Sequence, residues 1–144
     1  IGILVADGSA PEPIAALRKA AEKAGAQVKI VAPKVGGAVL SDGSRLPADG
    51  QLAGTPSVVF DAVASVLAPQ AGAQLAREAA AVDWFRDAYG HLKAIAACKG
   101  SQPILAAAGI EPDAGVLAPD DVSAFIKAAT TRQWEREPKV RMLA

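Results

Sequence analysis

Cys98 is the only cysteine in the chain, and it closes an apolar run. Ala94, Ile95, Ala96 and Ala97 lead into it, and Lys99-Gly100-Ser101 follow. This is the pattern of a buried parallel strand that ends in a sharp turn into a helix, the elbow on which enzymes present a nucleophile. A thiol at the start of a helix meets the positive end of the helix dipole, and a neighbouring lysine adds to the field that favours thiolate. The chemistry on offer is nucleophilic attack or thiol oxidation. Catalysis by such a group also needs a base or acid within hydrogen-bond reach and donors for an oxyanion.

Other residues promise less. His91, the only histidine, falls at the end of an expected helix, where positive charge suits the dipole. With one histidine, one cysteine and no carboxylate cluster, no protein-only transition-metal site is expected. Asp7-Gly8-Ser9 after the first strand has neither GxGxxG nor GxxxxGK[ST] around it, so it reads as a turn rather than a phosphate site. Trp84, Phe85 and Tyr89 share one helical stripe and belong to a core or a domain contact. Trp134 is expected to pack where the tail crosses another helix or another domain.

The elements that must position these groups follow from periodicity. Residues 1–6 are a continuous apolar run, read as a strand buried on both faces. Pro11 and Pro13 open a helix that Gly25 stops. Residues 28–32 form a second strand, closed by Pro33. Residues 36–48 read as a β-hairpin around a two-residue Asp42-Gly43 turn. Another strand is expected near 62–68, one helical pattern over 70–90, a strand at 94–98, a helix ending near Gly109 and a short strand at Gly115–Ala118. The last helix begins at Pro119-Asp120-Asp121. Apolar strands alternating with helices make right-handed βαβ units. The fold class is therefore α/β, a flavodoxin-like three-layer sandwich: a parallel sheet with helices on both faces and a small β-hairpin insertion. Residues 1–131 form one domain, and residues 132–144 a tail that packs on the domain or a neighbour.

Composition narrows the partners. At 144 residues the chain suffices for one domain with its own core. Fifteen Lys and Arg balance fifteen Asp and Glu, which leaves no basic footprint for nucleic acid. No apolar run approaches the roughly 20 residues of a membrane span. A lone cysteine forms no internal disulfide and favours a reducing, cytoplasmic compartment. The chain opens directly in a strand with no initiator Met, so the natural polypeptide is expected to begin upstream.

Two resemblances sharpen this. Residues 93–109, KAIAACKGSQPILAAAG, resemble the nucleophile elbow of the ThiJ/PfpI family, where apolar residues precede Cys-His-Gly and a helix of small residues follows. Cys98 and Gly100 match, and Lys99 stands in place of the histidine. More of the chain, namely SDGSRLP (41–47), AGTPSVVFDAV (53–63), FRDAYGHLKAIA (85–96) and QWEREPKVRMLA (133–144), is similar to the C-terminal domain of large-subunit haem catalases.

The first resemblance implies an acid after strand one, a histidine and a Pro-Gly-Gly turn. Here those places hold Ala10 (with Glu12 two residues on), Lys99 and Pro69-Gln70-Ala71. Cys98, with Lys99 and Gly100, is thus expected to be a vestigial elbow, with no catalytic, cofactor or metal residue in the segment. The second resemblance implies a parent that converts hydrogen peroxide to water and oxygen at a haem held upstream. It also implies a homotetramer, the catalase haem core of the same chain as partner, and a stabilising role that extends to chaperone-like action on unfolded clients. Two alternatives stay open: a stand-alone ThiJ/PfpI-type enzyme or thiol sensor using Cys98, and a flavodoxin-like module for flavin or another anion.

Overall fold

The computed structural model describes residues 1–142. Six strands form one parallel sheet: β1 (Gly2–Val5), β2 (Lys29–Ala32), β5 (Gly50–Gln51), β6 (Ala62–Val66), β7 (Ala94–Ala97) and β8 (Val116–Leu117). Their order is β5-β2-β1-β6-β7-β8. A separate antiparallel pair, β3 (Ala38–Val39) and β4 (Arg45–Leu46), forms the hairpin. The helices are α1 (Pro11–Lys23), α2 (Pro69–Leu75), α3 (Ala79–Gly90), α4 (Gln102–Ala107), α5 (Val122–Ala129) and α6 (Glu137–Arg141).

Strands β1, β6 and β7 are buried along their whole length, because helices cover both faces of the sheet. Alternate side chains serve opposite cores. Leu4, Val63 and Ile95 join Leu75, Trp84, Phe85, Tyr89 and Ile104 on the α2, α3 and α4 side. Ile3, Val5, Ala64 and Ala96 join Ile14, Leu17 and Phe125 on the α1 and α5 side. The expected three-layer sandwich is present, and Trp84, Phe85 and Tyr89 are core.

The sequence reading differs from the structure in several places. The single helix expected over 70–90 is two, α2 and α3, with a break at 76–78. The strand expected over 62–68 stops at Val66, because the next residue turns its backbone towards Cys98. The hairpin loop has three residues, not two. The Leu40 N–H bonds the Ser44 carbonyl (2.8 Å) and the Gly43 N–H bonds the Leu40 carbonyl (2.9 Å). Gly43 takes φ +85°, the left-handed residue that such a loop requires. The helix expected to begin at Pro119-Asp120-Asp121 starts at Val122, where the Asp121 carboxylate accepts the Ala124 N–H, and it is not the last, since α6 follows in the tail.

In the tail, Trp134 keeps 67% of its surface exposed, which leaves its expected packing to another domain. Arg136 is the side chain that goes inside, at 4% exposure. The expected tail over 132–144 includes two residues, 143–144, that lie outside the described ones.

Candidate functional site

In a parallel sheet of this topology, sites form where the strands end. The ends of β1, β6 and β7 meet around Cys98, and three serines with no exposed surface knit them together. The Ser9 hydroxyl accepts the Ala6 N–H (3.0 Å) and donates to the Val66 carbonyl. It thereby bridges β1 to β6, the crevice where a doubly wound sheet would receive a ligand. Ser65 shares a hydrogen bond with Ser101 at 2.7 Å, and Ser101 lies 3.2 Å from the Cys98 sulfur.

Cys98 itself is half-buried and well satisfied. Its Sγ accepts the Leu67 N–H (3.2 Å), and its S–H reaches the Leu67 carbonyl (3.5 Å). Its backbone lies at φ −71°, ψ 169°, an ordinary extended conformation. A nucleophile elbow is a strained strand-to-helix turn that thrusts the side chain outward. Here the chain passes from β7 into a short 3-10 turn, Lys99–Ser101, and then α4 without that strain. Among the described residues, the one non-glycine with positive φ is Leu92 (φ 61°), remote from the cysteine.

The helix overhead is also close. A Cβ on Gly72 of α2 would overlap the Gly100 carbonyl, and a Cβ on Gly100 would overlap the Leu67 carbonyl. Bare backbone of α2 therefore packs directly on one side of this turn, while Cys98 and Lys99 border a hollow of about 450 Å³ on the other. Pro69-Gln70-Ala71 is the first turn of α2 rather than a free loop of donors.

Of the expected partners, none faces the sulfur. Ala10 is the N-cap of α1 and lends no side chain, while Glu12 is exposed. The acid nearest the end of β1, Asp7, turns to the hairpin: it pairs with Lys34 (2.6 Å) and accepts the Val39 N–H (3.0 Å). Those two bonds, the Lys34 one first, hold its carboxyl below the usual aspartate range. Lys99 is exposed, and so is His91 at the C-cap of α3.

The polar centre that sequence reasoning missed lies at the tail. Arg136 makes a bidentate pair with Asp113 (Nε–Oδ2 2.7 Å, Nη2–Oδ1 2.9 Å). Its third nitrogen donates to the carbonyls of Tyr89 (3.1 Å) and Lys93 (3.0 Å), and its guanidinium lies 4.1 Å from the Tyr89 ring centroid. Burial raises the Asp113 carboxyl, but the Arg136 and Gly115 hydrogen bonds and nearby positive charge outweigh it, so the group sits below its usual range. Lys93 is buried as well and donates to the carbonyls of Val58 (2.6 Å) and Ser57 (3.3 Å). Burial lowers its pKa. This centre holds the tail and adjoining turns together, with each charged nitrogen of Arg136 and the Lys93 ammonium engaged by a carboxylate or a carbonyl.

A sequence model of the family described as the C-terminal domain found in long catalases matches residues 1–138. The chain belongs to that family. It is 38% identical over 148 residues to Catalase C of Rhizobium meliloti, covering 99% of this chain and 21% of that protein. It is 32% identical to Catalase HPII of Pseudomonas putida, covering 95% of this chain and 19% of that protein. The long-catalase domain thus spans about a fifth of the length of these relatives. Among solved structures, Drosophila melanogaster DJ-1beta superposes with TM-score 0.71 at 16% identity, over 98% of this chain and 95% of that one. A ThiJ/PfpI domain protein from Brachyspira murdochii gives 0.71 at 16%, over 89% and 91%. These likenesses show the fold of the long-catalase domain.

The resemblance to haem catalases makes haem the group to test, and the described residues do not fit one. An axial ligand must reach iron beside a flat cavity. The Tyr89 hydroxyl is buried in the core, the Cys98 sulfur is engaged with Leu67 and Ser101, and His91 sits exposed at a helix end. Among the described residues, no group of three His, Cys, Asp or Glu could hold a metal ion.

Proposed function

We propose that this chain is a non-catalytic domain of a long catalase, and that it serves the parent by adding buried surface and supporting its homotetramer. The parent decomposes hydrogen peroxide to water and oxygen at a haem outside these residues. The observation that carries the reading is the Cys98 backbone, unstrained at φ −71°, with its sulfur already bonded to Leu67 and Ser101. The family match over residues 1–138 supplies the parent. No helix among the described residues is long and apolar enough to cross a membrane, which accords with a cytoplasmic parent. Chaperone-like action on unfolded clients belongs to the same reading, supported by the exposed apolar side chains of Val35 and Met142.

The test is direct. The 144-residue chain, incubated with haem and hydrogen peroxide, is expected to show neither oxygen evolution nor a stoichiometric Soret band. Turnover of peroxide with an added dithiol, which reduces the sulfenic acid back to the thiol, that Cys98→Ala abolishes would instead establish a thiol enzyme.

A further inference from the structure

Parallel strands sort this molecule into two ends. Cys98 marks the end where strands finish. At the other end, where Ile1, Lys29, Asp61 and Lys93 lead into the strands, a groove of about 860 Å³ runs between Ile1, Gln27, Val59, Phe60, Ile126 and Arg132. Arg132 also borders a second hollow that contains Trp134, so its side chain is a wall common to both. Val59 is 65% exposed and Trp134 67%.

Polar bonds, some of them exposed at its rim, brace this mixed apolar and polar surface. Lys93 grips the Val58 carbonyl (2.6 Å), Arg132 pairs with Asp61 (3.3 Å), and the Gln133 N–H bonds the Leu92 carbonyl (2.6 Å). Leu92 itself takes the left-handed conformation that ends α3, an unfavourable choice for leucine. A rigid patch of exposed apolar side chains, one of them Trp, is the form of a docking surface.

The occupant follows from connectivity. The family is the C-terminal domain of its proteins, and the chain covers 21% of a curated relative, so the bulk of such a polypeptide precedes Ile1. Ile1 lines the groove. Its nitrogen donates to the Gln27 carbonyl (2.8 Å), a rung of the β1–β2 ladder that a peptide N–H makes equally well. A segment tethered at the groove's own rim has an effective concentration on the order of millimolar, which favours it over any free partner.

We infer that this face docks the part of a long catalase polypeptide that precedes Ile1, with Val59 and Trp134 as its apolar anchors. The inference rests on the reading under Proposed function. In the full-length haem-loaded catalase, Val59→Cys and Trp134→Cys are compared with Val35→Cys, which is 75% exposed at the opposite end of the sheet. Maleimide modification is expected to be at least about tenfold slower at positions 59 and 134 than at 35. A photo-reactive maleimide at position 59 is expected to capture peptides from the preceding part of the chain. Equal rates at all three positions would overturn the inference. So would capture of this same domain from a second copy, which makes the face a contact between copies. A full-length protein without haem or peroxide turnover would sink the proposed function instead, and the labelling rates would still report on the face.

Discussion

At Cys98 the residue types suggest chemistry while the backbone angles oppose it. Spacing showed the strand, the turn and the thiol at its end, because all of these are local features. It did not show that Ser65 and Ser101 lie 2.7 Å apart, since the two serines are 36 positions apart along the chain. Nor could it show φ, which any cysteine can adopt in the extended region. With Sγ occupied by Leu67 and Ser101, alkylation of the native thiol by iodoacetamide is expected to be slow and to accelerate in urea. Equal rates in native and unfolded protein would contradict this. Cys98→Ala should cost about 1 kcal/mol in urea unfolding, because the Leu67 N–H loses its acceptor.

At the level of elements, apolar runs identified the buried strands and glycines marked two helix ends. Gly25 and Gly109 both adopt positive φ after α1 and α4, as their positions suggest. The end of α3 was not legible in this way, since leucine gives no sign of a left-handed residue. The break between α2 and α3 was hidden for a related reason. The pattern over 70–90 is apolar enough for one helix, whereas the direction of α2 is fixed by Gly72 lying against the Gly100 carbonyl. Gly72→Ala is therefore expected to destabilise the fold by about 3 kcal/mol, through overpacking against backbone that cannot yield. Gly36→Ala, which meets nothing within 4 Å, is the matched control and should change stability little. Circular dichroism melts of the two variants check the difference.

Over the whole molecule, the long-range anchor is the tail arginine, whose partners lie 23 to 47 residues away. Sequence pattern cannot report such pairings and singles out the neighbouring Trp134, the more conspicuous residue. Arg136→Met is expected to cost about 3 kcal/mol, since it strands Asp113 and two carbonyls. The pair also sets a pH dependence. Because Asp113 is held below its ordinary value of 3.8, its contribution is complete above that pH and is lost as pH falls towards the lower folded value. Urea midpoints measured between about pH 5 and pH 2 should fall with acidity, and less steeply in Arg136→Met. Part of the slope should persist, because Asp7, Asp42 and Glu111 are also held below their usual range.

The relaxed geometry at Cys98 has one more consequence. Enzymes commonly give up some robustness to keep a reactive group poised and its surroundings yielding. A turn that settles into its natural conformation, sealed by three hydroxyls, is free of that compromise. On the proposed non-catalytic reading, selection can trade side chains at this end of the sheet for durability alone.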